Sequence, residues 1–170
     1  DFLRGEFENI QSEDGMPHLW LWLTKRPELM QRFSASIGGI PANVCAMTTI
    51  TSNDALHRVD ALREVDAKVR GLSVEPLWTR LSDDLDLTGI DWLIVGGESG
   101  AKQHAAPFCV EWAEELRDLC DAQSVAFFCK QLGSQPMRNG TAITLKDKHG
   151  GDWDEWEDSL RAREMPMYFH

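Results

Sequence analysis

The chain has 170 residues, of which 42% are hydrophobic, enough for one domain with a buried core. Its 28 acidic and 17 basic side chains give a net charge of -11, which makes nonspecific binding to nucleic-acid phosphates unfavourable. No run approaches the roughly 18 apolar residues that span a bilayer, and the N-terminus lacks the features of a signal peptide. We therefore predict a soluble, cytoplasmic protein. The sequence begins with Asp1 and not with methionine, which is compatible with further residues upstream.

In chain order, short apolar runs alternate with longer amphipathic stretches, a pattern typical of βα units around a parallel sheet. Residues 1–16 are polar and indicate at most a short helix. Five strands are predicted, at residues 18–23, 43–50, 69–74, 91–97 and 125–130. Helices are predicted near residues 27–36, 53–67 and 110–122, while residues 78–89 look irregular apart from one short helix. The predicted fold class is α/β.

The composition changes after Gly133, where turn-forming and acidic residues replace the βα rhythm. We predict a domain over residues 1–133 and a C-terminal extension, residues 134–170, packed on it. Asn139-Gly140 is typical of a hairpin turn. Trp153 and Trp156 are expected to anchor the acidic segment on the body of the protein.

Ligands of parallel α/β proteins bind at the carboxyl ends of the strands, and here the residues at those ends are polar. The predicted strand ends carry Thr24-Lys25-Arg26, Thr48 to Thr51, Ser73 to Glu75, Gly96 to Gly100, and Lys130-Gln131. The glycines of the fourth group allow either a tight turn at positive φ or a close approach of the backbone to a ligand. The spacing is not that of a dinucleotide-binding loop.

The candidate catalytic residues are Glu75, Glu98 and Lys130. Glu75 and Glu98 follow neighbouring strands and could share a pocket for acid and base work, including glycoside hydrolysis. Alternatively, each forms an ion pair with Lys25, Arg26 or Lys130 across the same edge. Lys25-Arg26 could bind an anion or simply begin a solvated helix.

The sequence gives little indication of a metal site. Cysteines occur at positions 45, 109, 120 and 129, with no C-x-x-C pair, which favours buried, reduced thiols over metal binding. The five histidines show no metal-binding spacing.

Several strand-end segments together resemble a phage-associated family of unknown function. The segments are LTKRPE at residues 23–28, SVEPL at 73–77, WLIVGGESG at 92–100 and FFCKQLG at 127–133. The C-terminal segments LKDKHGGD at 145–152, EW at 155–156 and LRARE at 160–164 agree with it as well. The resemblance is collinear from about His18 to Pro166.

This resemblance implies a partial TIM-barrel-like sheet and a similarity to radical S-adenosylmethionine (SAM) enzymes, which hold an iron–sulfur cluster through three clustered cysteines. That cysteine motif is absent here, so the chain resembles only the C-terminal portion of such a protein. If an upstream part supplies the cluster, the residues lining the SAM and substrate side would include Thr24, Lys25, Glu75, Gly96, Gly97, Glu98, Ser99 and Lys130. The substrate is unknown and could be related to nucleic acid.

Two departures from the family pattern keep other functions open. The three-cysteine motif is missing, and Ala106 stands where the family usually has an arginine. A non-catalytic module that binds a small ligand or a partner is the main alternative, and a glycosidase-like hydrolase is another. A partial barrel also leaves two sheet edges, which we expect residues 1–16, the C-terminal tail or a homodimer partner to cover.

Overall fold

The computed structural model describes residues 2–167. Its main elements are helices α1–α4 and strands β1–β8, together with three short 3₁₀ helices. In chain order they are α1 (Phe2–Gln11), β1 (Trp20–Thr24), α2 (Pro27–Ile37), β2 (Val44–Thr49), α3 (His57–Arg63), β3 (Val69–Val74), β4 (Trp92–Gly96), β5 (Phe108–Cys109), α4 (Val110–Gln123), β6 (Ala126–Gln131), β7 (Pro136–Arg138) and β8 (Thr141–Ala142). No helix in this described part is long and apolar enough to cross a membrane.

A five-stranded parallel sheet forms the centre of the protein, and this confirms the predicted α/β class. Its strand order is β1-β2-β3-β4-β6, so neighbours in space follow one another along the chain. All four strand pairings are parallel. The carboxyl ends of the five strands therefore meet at one edge of the sheet, which we call the rim.

One face of the sheet is covered by helices and holds the larger hydrophobic cluster. Strand residues such as Val44, Leu72 and Phe127 pack there with Leu62 of α3 and Leu116 of α4. The other face carries a smaller cluster that contains no helical residue: Cys45, Met47, Val69 and Trp92, with Ile94 and Phe128 beside them. Consecutive strand residues alternate between the two clusters, as the pleat of a strand requires.

The helix after β2 is shorter than predicted. Residues 53–67 were expected to form one helix, but a 3₁₀ turn (Asn53–Ala55) precedes α3, which ends at Arg63. The hydrogen bonds of Asp66 explain the early end. Its amide donates to the Ser34 hydroxyl at 3.3 Å, and its carbonyl accepts from the Ile40 amide at 2.7 Å. These bonds to distant residues compete with continuation of the helix.

The segment after Gly133 lies against the main sheet. Asn139 and Gly140 both have positive φ, at 49° and 72°, and join β7 to β8 in the predicted hairpin. Trp156 is 3% exposed, donates its indole N–H to the Gly150 carbonyl at 3.0 Å and belongs to the larger core. The Trp153 ring lies 5.6 Å from that of Trp156. The two tryptophans thus anchor the acidic segment, as the sequence predicts.

The two edges of the parallel sheet differ. Residues 162–164 run along β6, with an antiparallel bridge between Phe128 and Arg163 and a 2.8 Å bond from the Cys129 amide to the Ala162 carbonyl. This confirms the tail as a cover for that edge. Strand β1 pairs only with β2 in the described part of the chain, and its Leu21 and Leu23 side chains are 49% and 53% exposed.

Candidate functional site

Three side chains from two strand ends meet at the rim, and we call Glu75, Lys130 and Gln131 the rim cluster. The Lys130 ammonium lies 2.9 Å from both oxygens of the Glu75 carboxylate. The Gln131 side-chain amide donates to Glu75 Oε1 at 3.2 Å and to the Gly97 carbonyl at 3.1 Å. The Glu75 side chain is 21% exposed and that of Lys130 is 53% exposed, so the cluster is partly open to solvent.

A β-bulge brings these side chains together. Consecutive residues of a regular strand point to opposite faces, yet Lys130 and Gln131 both bind the same carboxylate. The pairing between β4 and β6 shifts here: Val95 is opposite Cys129, and Gly96 is opposite Gln131, which leaves Lys130 as the extra residue. Bulges of this kind redirect side chains and are frequent beside functional sites.

Gly96 and Gly97 are required by close contacts and not by an unusual backbone conformation. Neither is among the glycines with positive φ, whereas Gly100 of the same segment has a φ of 155°, so the positive-φ alternative does not apply to Gly96 and Gly97. A Cβ at Gly96 would lie 3.2 Å from Glu75 Cδ, and one at Gly97 would lie 2.8 Å from the Gly133 nitrogen. The first glycine therefore makes room for the Glu75 side chain, and the second lets the two loops touch.

Glu98 lies in a different setting from Glu75. Its Oε2 accepts a hydrogen bond from the Ala106 amide at 3.0 Å, and its side chain lines a groove between Trp78 and Trp112. Glu75 is held by Lys130, as in the ion-pair alternative. A glycosidase needs both carboxyl groups available around one cleft, so this arrangement gives the hydrolase hypothesis no support.

The remaining candidates at the rim make fewer contacts. Thr24 Oγ1 accepts from the Arg26 amide at 3.0 Å, and the Thr24 carbonyl accepts from the Thr48 hydroxyl at 2.9 Å. These bonds fix the junction between β1 and α2. Lys25 and Ser99 are exposed, and Lys25 has no carboxylate partner among residues 2–167.

Sequence reasoning did not select Gln131 as a site residue, although it noted Lys130-Gln131 at a strand end. In a regular strand only one of the two would face Glu75. The bulge depends on how β6 pairs with β4, and no local sequence pattern marks it. Trp78 and Trp112, which flank Glu98, were likewise not assigned to a site.

The four cysteines lie in surroundings that disfavour the thiolate form. Burial raises the pKa of Cys45, Cys120 and Cys129 to about 12 in each case, and it also raises the pKa of Cys109. Metal ligation needs the thiolate, which such surroundings disfavour. Within the described residues, no group of three or more His, Cys, Asp or Glu side chains is arranged to hold a metal ion.

Sheet and rim together define a parallel α/β protein with a polar cluster at the carboxyl ends of its strands. The family profile described as "protein of unknown function (DUF5131)" matches residues 3–159. The chain belongs to this family. No curated protein and no solved structure matches the chain.

Proposed function

We propose that the rim cluster binds the polar end of a small ligand, and that the chain is the C-terminal part of a cytoplasmic, phage-associated, radical-SAM-like enzyme. The observation that carries this proposal is the bulge, which directs Lys130 and Gln131 to the same Glu75 carboxylate at the carboxyl ends of the strands. A regular strand would be the default, so a distortion at this position favours a ligand-binding role.

A partial TIM barrel is the second element of the proposal, and the topology supports it. The strand order runs sequentially, without the reversal that creates the crevice of doubly wound sheets. Parallel crossovers have one hand, so sequential order keeps the helices on one face. The smaller cluster on the other face would then be the interior of a barrel. The exposed β1 edge, with Leu21 and Leu23, is where further strands would continue it.

The iron–sulfur cluster implied by the resemblance does not fit this chain. Three of the four thiols are fully buried, and the described residues contain no metal-binding group. The cluster would therefore have to be held by residues outside this sequence, and we assign no step of its chemistry to this chain.

SAM fits the rim cluster better than an iron–sulfur cluster does, because the amino-acid end of SAM carries one ammonium and one carboxylate. The Glu75 carboxylate can accept from the SAM ammonium through its remaining lone pairs. The Lys130 ammonium has three N–H donors, and its contacts to the two Glu75 oxygens use two of them. One donor is left for the SAM carboxylate. SAM would supply a carbon radical only after one-electron reduction by a cluster held outside this sequence, and Glu75 and Lys130 would bind and orient its amino-acid end. We propose a nucleic-acid-related substrate only from the phage association.

The alternative is a non-catalytic module that binds a small ligand or a partner. One observation favours it: the Glu75 carboxylate already pairs with the Lys130 ammonium at 2.9 Å, so both groups have a partner before any ligand binds. The same rim would then serve recognition alone.

Calorimetric titration with SAM tests the binding step. We expect saturable binding that Lys130→Ala weakens by about tenfold or more, because a hydrogen bond to a charged group contributes about 1.5–3 kcal/mol. Lys146→Ala is the matched control, since the Lys146 side chain is exposed in the C-terminal extension and does not belong to the rim cluster. Undetectable SAM binding, or equal affinity in both variants, would contradict the assignment of the rim cluster.

A second measurement separates the enzyme from the binding module. The complete gene product is expressed anaerobically and assayed for bound iron, sulfide and reductive SAM cleavage. A cluster with SAM cleavage is the expected result. A full-length protein without iron and without cleavage would favour the non-catalytic module.

A further inference from the structure

A groove of about 560 Å³ lies beside the rim, between the loops that follow β3 and β4 and the start of α4. It is distinct from the rim cluster and shares no residue with it. Its lining combines two indole rings, one carboxylate and a small apolar wall: Trp78, Glu98, Ala106, Pro107, Cys109 and Trp112. Both loops leave the carboxyl ends of parallel strands, where ligands of such folds bind.

Among the side chains that the structure describes, no lysine or arginine forms an ion pair with the carboxylate in this groove. Glu98 is half-buried, and its described hydrogen bond is the 3.0 Å contact from the Ala106 amide to Oε2. By contrast, Glu75, Glu114 and Glu115 each form an ion pair with a lysine or arginine. Among residues 5–167, whose side chains the structure describes, Glu98 has no such partner. A partly buried carboxylate without a counter-charge is unfavourable, and a cationic ligand would relieve that cost.

The indole of Trp78 is the second unusual feature. Its side chain is 49% exposed on a loop whose backbone is fixed by a 3.1 Å bond from the Trp78 amide to the Thr51 carbonyl. Trp112 is half-buried in the first turns of α4 and lines the same groove. Indole faces attract cations, and they do so more strongly where the site is shielded from water.

We propose that this groove binds an organic cation of the guanidinium class. A guanidinium group is planar, so it can stack on an indole while its N–H groups donate to a carboxylate. Glu98 offers Oε1, to which no described residue donates, whereas Oε2 is already used by Ala106. The net charge of -11 further favours a cationic ligand. This inference does not rest on the proposed function, because it uses none of the rim cluster.

Titration with methylguanidinium, followed by calorimetry and by the indole N–H signals in NMR spectra, tests the proposal. Methylurea is the neutral control of the same shape and should not bind. Glu98→Gln should weaken methylguanidinium binding by about tenfold or more, because a hydrogen bond to a charged group is lost. The amide oxygen of glutamine can still accept from the Ala106 amide, so this variant should keep the fold.

A second variant tests the aromatic contribution. Trp78→Ala should weaken binding by about two- to fivefold, the range of a cation–π contact at an exposed site. Glu8→Gln removes the same charge from the exposed surface of α1 and should leave the affinity unchanged. Lys130→Ala should also leave it unchanged, which distinguishes this site from the rim cluster.

Two results would overturn the proposal: no saturable binding of methylguanidinium at millimolar concentration, or equal affinity in wild type and Glu98→Gln. A blocked tripeptide with a central arginine distinguishes the source of the cation. Tighter binding of the peptide would identify an arginine side chain of a partner protein as the ligand. Tighter binding of methylguanidinium would identify a small molecule.

Discussion

The two edges of the parallel sheet differ in whether other residues cover the backbone N–H and C=O groups of the edge strand. At β6, the tail supplies backbone partners, and the Glu164 carboxylate accepts from the Phe127 amide at 2.9 Å. Arg163 then lies 5.0 Å from the ring centroid of Trp153 and 5.7 Å from that of Phe128. At β1, apolar side chains face solvent and lack a cover within the described residues.

The tail thus covers the β6 edge, whereas the β1 edge is an open surface within the described residues. The β6 side is stabilised by residues far apart in sequence, so its stability depends on the C-terminal extension. An edge with exposed leucines is prone to pairing with another strand. The predictions below test this contrast, beginning with the largest expected effect.

Trp156→Ala should cause the largest loss of stability, because it removes a buried indole that joins the extension to the main core. We expect the free energy of unfolding to fall by about 3–5 kcal/mol, as for other buried aromatic residues. Urea denaturation followed by circular dichroism measures it. Trp78→Ala, at an indole that is 49% exposed, is the matched control and should cost far less. Equal losses would show that the extension does not stabilise the sheet.

Gly97→Ala should destabilise the β6 side by about 1–3 kcal/mol, the usual range for an added methyl in a tightly packed site. The new methyl would collide with the Leu132 carbonyl and would lie 2.8 Å from the Gly133 nitrogen. Gly5→Ala, with open space around its Cβ position, is the control. A thermal unfolding midpoint that is the same for both variants would contradict the close packing of these loops.

The ion pair of Glu114 with Arg138 should make the attachment of the extension sensitive to acid. The hydrogen bond from Arg138, followed by that from Ser159, lowers the pKa of Glu114 in the folded protein. A lowered folded pKa stabilises the protein above the unfolded value, and this contribution is lost as the pH falls through the folded pKa. Stability should therefore decline below about pH 4.3, the ordinary value for glutamate.

Glu114→Gln provides the comparison for that pH dependence. The variant should be less stable than wild type at neutral pH, and the difference should shrink as the solution is acidified. Urea midpoints measured across the acidic range give this difference directly. A constant gap at every pH would show that the Glu114 charge has no role in holding the extension.

The smallest effect on stability is expected at the β1 edge. Leu21→Lys with Leu23→Lys should change the free energy of unfolding by less than about 0.5 kcal/mol per site, as at other exposed positions. If a homodimer covers this edge, the double variant should convert a dimer into a monomer in light-scattering measurements. Ala122→Lys, an exposed position at the end of α4, is the control. A wild-type protein that is already monomeric would contradict the homodimer prediction.

The sequence predicts the sheet well because buried parallel strands form continuous apolar runs with polar residues at their ends. Residues 91–97, for example, contain WLIVGG, and the structure has β4 at Trp92–Gly96. The same reasoning correctly located Glu75 and Lys130 at strand ends, where they form an ion pair. These features are local in sequence or follow from parallel topology.

The failures have the opposite origin, since each depends on contacts made outside the strand, helix or strand end concerned. The helix after β2 ends early because Asp66 bonds to Ser34 and Ile40. Gln131 joins the rim cluster because the register of β6 on β4 shifts by one residue. Glu98 does not share a pocket with Glu75, because its carboxylate accepts a hydrogen bond from the Ala106 amide in the loop before α4. A single sequence contains no local pattern for any of these.

Three glycines from three separate segments approach one another behind the rim. A Cβ at Gly133 would lie 2.8 Å from the Gly97 carbonyl carbon, and one at Gly150 would lie 2.6 Å from the Gly133 carbonyl oxygen. Main chain therefore packs directly on main chain at this point. As a result, the position of the strand ends is independent of the size of nearby side chains. Substitution of the side chains that surround these three glycines should therefore leave the main-chain contacts between the segments in place.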